Sequence, residues 1–220
     1  EELSELAQGG TATGTGINVH PEFPAEVVRR IADATGIPFV EAANHFEAQA
    51  AKDAYVSVAG ALNSLAVSCL KIANDIRWLS SGPTSGIHEI SLPAIQPGSS
   101  IMPGKVNPVV PEMVIQAAAF VMGKNQSVTI ACQNGPLQLN IMLPLISHEV
   151  LTSINLLSGV AEKFGKSCIA ALQYDEERCR QIVEKSLALV TPLALKAGYD
   201  TASKAALRAY REGKTLREII

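Results

Sequence analysis

Between residues 44 and 80 the chain carries no proline and a single glycine, Gly60. Within that stretch Val58, Leu62, Leu65, Cys69, Ile72, Ile76 and Leu79 follow one another at spacings of 4, 3, 4, 3, 4 and 3. Alternating steps of three and four keep every residue on one side of a 3.6-residue helix, which is the apolar seam of a helix bundle. Tyr55, Ala59, Ala66, Leu70 and Ala73 form a second apolar stripe, so the helix is expected to be covered from more than one side. Run without a break, it would be about 55 Å long at 1.5 Å per residue. That exceeds what a small domain needs and suits a multi-helix bundle completed by other subunits.

The remaining signals are helical as well. A helix is predicted from near Pro21–Pro24 to Ala34, with Gly36 as its stop. Another runs from about Val110 to Met122. A third extends from near Leu137 to Lys163, bent near its start by Pro144, with Leu139, Leu143, Ile146, Val150, Ile154, Leu157 and Ala161 on one face. Asp175, followed by Glu176 and Glu177, is a good N-cap for a shorter helix to about Leu187. One more begins near Thr201 and ends at Gly213. No segment alternates with period two for long enough to be a strand, so the expected class is all-α, a long-helix bundle.

Both ends read as interrupted. Residues 1–8 resemble the last turns of an amphipathic helix ahead of a left-handed cap at Gly9, and Thr215–Ile220 starts a helix without finishing it. The chain is therefore expected to be a piece of a longer protein. Its expected domains are a central long-helix bundle over 1–165, truncated at its N-terminus, and a small helical C-terminal domain over 166–220, truncated at its end.

Charge and composition narrow the possible partners. The 18 basic and 21 acidic residues leave a formal charge of −3, which argues against nucleic acid and against a polybasic membrane anchor. The most apolar stretch, 53–73, is interrupted by Asp53, Asn63 and Lys71, which argues against a transmembrane span. No charged-then-apolar leader precedes Gly9. The four cysteines, Cys69, Cys132, Cys168 and Cys179, lie far apart, as reduced thiols of a cytoplasmic protein would.

One segment breaks the helical pattern. Residues 82–108 hold Pro83, Pro93, Pro97, Pro103 and Pro108 together with Gly82, Gly86, Gly98 and Gly104. So long an irregular stretch between long helices is characteristic of a functional loop, and its apolar residues favour an ordered one. Two nucleotide motifs fail on it and near it. Gly98–Lys105 has five residues between its glycines where a P-loop has four, and Val106 stands where a Mg²⁺-binding hydroxyl would be. Gly14-Thr15-Gly16 lacks the third glycine of a dinucleotide fingerprint. His20, His45, His88 and His148 show no metal-ligand spacing. The reading is of a site with no cofactor and no metal.

What remains is a pair of serines, Ser99 and Ser100, with a cation at Lys105 and an amide donor at Asn107, leading into a helix after Pro108. These groups and the first-turn N–H groups of that helix suit a carboxylate and an anion whose charge grows during reaction. A serine acting as a base needs such neighbours and exclusion of water. By residue chemistry alone, a surface connector with solvated Lys105 and Ser99 is an equal alternative.

The order of residues adds more. Gly98-Ser99-Ser100-Ile101-Met102-Pro103-Gly104-Lys105-Val106-Asn107-Pro108 matches in full the signature of the fumarase/aspartase superfamily. Gly9-Gly10-Thr11-Ala12-Thr13-Gly14-Thr15-Gly16 resembles that family's second conserved block, and Lys71–Pro83 resembles the segment leading into its signature loop. The resemblance implies a helical homotetramer whose active sites draw on three subunits, acting on a small dicarboxylate. It implies Ser99 as the general base at the carbon beside a carboxylate and an aci-carboxylate product. Ser100 would face the developing anion, and Lys105 and Asn107 would hold a substrate carboxylate. Glu112 matches a glutamate that pairs with a histidine from another subunit. None of the four histidines here matches that residue, so this chain alone is not expected to complete a site.

Within the family, Gly9–Ala12, Asn134-Gly135, Val190–Leu193 and Gly198–Asp200 lean toward members that eliminate water from L-malate to give fumarate. Pro108–Glu112 and Leu137–Asn140 resemble equally the members that release ammonia from L-aspartate. A non-catalytic helical scaffold is the alternative of another class, disfavoured by the intact Ser99, Lys105 and Asn107. Among other residues, His20 and His45 read as polar helix-face residues, His88 as a loop residue not expected to reach the site, and His148 as buried with a partner. Cys69 reads as core. Gln138 and Asn140 read either as site residues or as a helix start.

Overall fold

The structure, a computed structural model, describes residues 2–220. Glu1, the first residue of the expected N-terminal helix, lies outside the described residues. Long helices dominate and each strand is two residues long, so the chain is all-α. It divides into two compact units, one of Glu1–Asn74 and Val109–Gly165, the other of Asp75–Pro108 and Lys166–Ile220.

The first unit opens differently from the helix expected there. Glu2–Ser4 make one 3-10 turn, and β1 (Glu5–Leu6) pairs in parallel with β2 (Val40–Glu41). So short a helical end does not offset the cost of nucleation, whereas strand pairing satisfies its backbone, the Leu6 carbonyl accepting from the Ala42 N–H at 3.0 Å. Helix α1 (Phe23–Thr35) starts with Pro24 in its first turn and stops at Gly36, left-handed at φ +70°.

The proline-free stretch folds as two helices, α2 (His45–Ala50) and α3 (Asp53–Leu79). Asn44 caps α2 by accepting from the Phe46 and Glu47 N–H groups. At the break, Ala51 is extended, and the Lys52 ammonium donates to the Ala48 carbonyl that the Lys52 N–H would meet in a continuous helix. Burial lowers the pKa of that ammonium. Gly135 also lies against the Ala50 carbonyl so closely that a Cβ there would collide with it. The 27 residues of α3 span about 40 Å.

Helices α4 (Val109–Cys132) and α5 (Leu143–Phe164) complete the core of this unit. Ala59 packs with Val128, Ala131, Ile146 and Val150, and Ala66 packs with Ala118, Val121 and Leu157. Residue numbers rise along α3 and α5 as they fall along α4, so α4 runs antiparallel to both. The side of α3 that is buried is thus the alanine stripe, with Ala66 and Ala73 at 0% exposure. The expected seam is covered only in part: Ile76 is buried, Val58 and Leu62 pack against the core, Cys69 is half-buried, and Leu65 and Ile72 are exposed. By length and hydropathy α3 also meets the measure of a membrane span, although its alanine face is packed against α4 and α5 as in a bundle.

Helix α4 continues ten residues beyond the expected end at Met122. An interior glycine such as Gly123 costs about 1 kcal/mol relative to alanine, which the burial of Val128 and Ala131 outweighs. Helix α5 starts later than expected, and Pro144 sits in its first turn, so it begins the helix instead of bending it. Its buried face is Ile146, Val150, Ser153, Leu157, Val160 and Phe164; Leu139, Ile154 and Ala161 of the expected face are exposed. The half-buried pair across this layer is Lys124 with Glu149, not His148, which is exposed.

In the second unit β3 (Ile90–Ser91) pairs antiparallel with β4 (Gln173–Tyr174). Asp175 caps α6 (Glu176–Lys185) by accepting from the Arg178 N–H at 2.9 Å. A 3-10 turn, Leu187–Leu189, leads to α7 (Val190–Ala197), which packs on α8 (Tyr199–Glu212). Helix α7 has no counterpart in the sequence expectations, because eight residues with a proline in the first turn show no clear period. Gly213, at φ +63°, ends α8. A capping box between Thr215 and Glu218 starts α9 (Leu216–Ile219), and Arg217 ties it to Glu184 of α6 through two bonds of 2.9 and 3.1 Å.

Asn140 fixes the turn between α4 and α5. At 1% exposure, its amide donates to the Ala131 and Cys132 carbonyls and its oxygen accepts from the Met142 N–H at 2.7 Å. Gln138 is exposed, so of the two it is Asn140 that builds the helix start. Replacing Asn140 with Ala strands three buried or partly buried backbone groups and is expected to cost on the order of 2–3 kcal/mol. A thermal midpoint unchanged in Asn140→Ala would show that the turn does not depend on this side chain.

Candidate functional site

The segment leading into the signature loop is anchored by local bonds. The Ser81 hydroxyl donates to the Trp78 carbonyl at 2.6 Å and accepts from the Ile87 N–H at 3.1 Å. The Glu89 N–H donates to the Leu79 carbonyl, and the Asp175 N–H donates to the Glu89 carbonyl at 2.8 Å. The β3–β4 pair follows at Ile90 and Ser91. From the far side Arg178 donates through Nε to the Ile87 carbonyl and through Nη2 to the Gly86 carbonyl, each at 2.9 Å.

Beyond this stem, residues 98–105 close on themselves. The Lys105 N–H donates to the Met102 carbonyl at 3.2 Å, and Gly104 takes φ +80°. Gly98 and the Lys105 carbonyl form the neck of the loop, so close that a Cβ on Gly98 would occupy the carbonyl oxygen's position. Glycine is required there because the two backbones touch.

Ser99 sits just inside the neck and is half-buried. Its Oγ accepts from the Ile101 and Met102 N–H groups, both at 3.1 Å. Two N–H dipoles aimed at one oxygen stabilise negative charge on it. Sequence reasoning placed the helping donors at Lys105, Asn107 and the following helix; the nearest ones are backbone groups two and three residues along the same loop.

The other expected site residues are less drawn together. Ser100 and Lys105 are exposed side chains of the loop. Asn107 is half-buried and stands two residues before α4. Glu112 is half-buried in the first turn of α4 and belongs to the first unit. Histidine offers little beyond these. His20 Nδ1 accepts from the Glu22 N–H at 3.3 Å, and His45 Nε2 lies 3.3 Å from the Glu41 carboxylate. His88 has φ +52° and packs against Gly82, with its buried Nδ1 unpartnered among the described residues. Also among those residues, no group of three or more His, Cys, Asp or Glu side chains is arranged to hold a metal ion.

Arg178 is the residue that sequence reading missed. Its bonds reach 91 and 92 residues back along the chain. Nothing in Glu176-Glu177-Arg178-Cys179-Arg180 separates it from Arg180, which merely pairs with Glu176 and Glu177 on the surface.

The neck yields a direct test. Gly98→Ala is expected to open residues 98–105, read as trypsin cleavage after Lys105 about fivefold faster or more. The helical thermal midpoint should stay within about 3 °C. Cleavage at the wild-type rate would mean that the close approach of Gly98 and Lys105 does not hold the loop.

Comparison with known proteins gives the family. The family profile described as Lyase matches residues 1–123. The chain is 50% identical to a mitochondrial fumarate hydratase of Dictyostelium discoideum over 98% of its own length and 44% of that protein's. It is 48% identical to a class II fumarate hydratase of Mycobacterium tuberculosis over 99% of its length and 46% of the relative's. Among solved structures, the fumarate lyase:delta crystallin of Brucella melitensis superposes with a TM-score of 0.93 at 42% identity, over 99% of this chain and 47% of that one. The class II fumarase of Schistosoma mansoni gives 0.93 at 36% identity, over 99% and 48%. The chain thus spans a little under half the length of these relatives. With the family profile matched over more than half of it and the signature loop intact, the chain belongs to the lyase family of the fumarase/aspartase superfamily.

Proposed function

We propose that the protein from which this chain comes is a class II fumarate hydratase, interconverting L-malate and fumarate by elimination and addition of water. The observation that carries the reading is the Ser99 oxygen, held within its own loop under two N–H donors. The fumarate hydratases among its relatives, at about half identity over nearly the whole chain, support the choice of substrate.

In this reading Ser99 removes the proton from the carbon next to a carboxylate. The resulting aci-carboxylate carries extra negative charge, and electrostatic stabilisation of it lowers the barrier. Ser100 and neighbouring backbone N–H groups face that charge as the loop closes, while Lys105 and Asn107 hold a substrate carboxylate. Glu112 pairs with a histidine contributed by another subunit, and this pair would supply the proton that the hydroxyl on the adjacent carbon takes up as its C–O bond breaks and water departs. The same reading takes 1–165 as part of the central bundle and 166–220 as part of a C-terminal domain. It places the reaction in the tricarboxylic acid cycle.

A homotetramer belongs to the proposal. Leu65, Val67 and Ile72 of α3, Phe120 and Ile130 of α4, and Leu151 and Ile154 of α5 are exposed. Helices of other subunits would cover such faces. The proposed compartment is the cytoplasm, which suits four free cysteines; a mitochondrial relative makes the matrix the alternative that fractionation separates.

Fumarate release, followed by ultraviolet absorbance, tests the reading on the full-length protein given L-malate and L-aspartate separately. Turnover of malate is expected, and Ser99→Ala should reduce it about 10²–10⁴-fold with assembly intact. Release of fumarate and ammonia from aspartate alone would make it an aspartate ammonia-lyase, and silence on both would favour a scaffold. Light scattering should give four copies; a monomer would remove the subunit-shared site.

A further inference from the structure

We propose that Arg178 is a positioning residue that sets where the Ser99 loop stands, by gripping the stem that feeds it. The inference rests on the reading of Ser99 as the base. Its ground is the pair of 2.9 Å bonds from one guanidinium to the carbonyls of Gly86 and Ile87. Nε and Nη2 lie on one edge of a planar fork, so they meet two consecutive carbonyls without further ordering of the side chain. The charge makes both bonds stronger than neutral ones.

Residues 86–91 are bonded at almost every step to residues 78–81 or to 173–178. Ile87 meets Ser81, Glu89 meets Leu79 and Asp175, and Ile90 and Ser91 pair with Tyr174 and Gln173. Gly86 joins this set through Arg178. Asp175 also caps α6 at the Arg178 N–H, so the residue that orients the helix start contacts the stem as well. Between Ser91 and Gly98 the chain contains Pro93 and Pro97, whose fixed φ angles make a short, stiff link. A displacement of the stem is therefore passed on to the neck at Gly98 and to Ser99.

The test compares the full-length protein with Arg178→Ala and Arg178→Lys. In Arg178→Ala, trypsin cleavage after Lys105 is expected to quicken about fivefold or more. Turnover of saturating malate should fall about tenfold or more, with the thermal midpoint within about 3 °C and the assembly unchanged. Lysine keeps the charge but has no planar fork for two carbonyls, so Arg178→Lys should fall between the two in both readouts. If Arg178→Ala does not fold, Arg178→Lys alone must show the faster cleavage and lower turnover. Unchanged cleavage after Lys105, or turnover lost only in proportion to folded protein, would overturn the proposal while leaving Ser99's role intact. If wild-type protein is silent on malate but Arg178→Ala still quickens cleavage after Lys105, the fumarase reading fails and the grip on the loop stands.

Discussion

Alanine is what allows α3, α4 and α5 to share one core. Ala59, Ala66 and Ala73 recur every seven residues on α3 and are at most 4% exposed. Their small side chains admit Val121, Val128, Ile146 and Leu157 from the neighbouring helices, so large residues on two helices interlock with small ones on the third. The cost of that arrangement appears on the opposite side. Leu65, Val67 and Ile72 of α3 are left outside this core, and the same holds for Phe120 of α4 and Leu151 of α5. A bundle whose own contacts use the small stripe has kept its larger stripe for something else, and in the proposed tetramer that is the helices of other subunits.

This division explains why periodicity identified α3 and both of its apolar stripes but not which of them its own chain covers more fully. Counting apolar residues by size selects Leu62, Leu65, Ile72 and their neighbours as the seam, whereas close packing within one chain selects alanine. Local rules fared better where the cause is local. Gly36, Asp175, Gly213 and the Thr215–Glu218 pair act within a turn or so of themselves, and each stands at a helix boundary in the structure. The break at Ala51–Lys52 was invisible because no proline or glycine marks it. It depends on the Lys52 ammonium replacing a backbone donor and on Gly135 arriving from 84 residues away. The length of α4 and the late start of α5 depend likewise on Val128, Ala131 and Asn140, whose environments are tertiary.

The site divides in the same way. The signature residues were legible as a word, since Gly98–Pro108 is contiguous. The pair of N–H groups on the Ser99 oxygen was not, although these partners are only two and three residues away. Many loops hold a serine ahead of two amides, and a sequence does not say that both turn toward one oxygen. Arg178 lay further out of reach. A basic residue in the first turns of an acidic helix looks like surface charge, and only the folded chain separates it from Arg180.

If Ser99 is the base, as proposed, and its loop closes over substrate, the placement of its donors bears on how the two fit together. A base fixed by groups elsewhere in the protein would lose its stabilisation whenever the loop opened and would have to regain it in each cycle. The donors to Ser99 are the N–H groups of Ile101 and Met102, inside the neck formed by Gly98 and Lys105. They travel with it. On the proposed reading the loop would move as a body, its exposed tip at Ile101 and Met102 reaching over substrate, while the environment of the oxygen stays constant. What has to be set from outside is only the position of that body, and this falls to the stem. In the proposed reading, preorganisation of the base and mobility of the loop, which compete when one set of contacts serves both, fall to different residues.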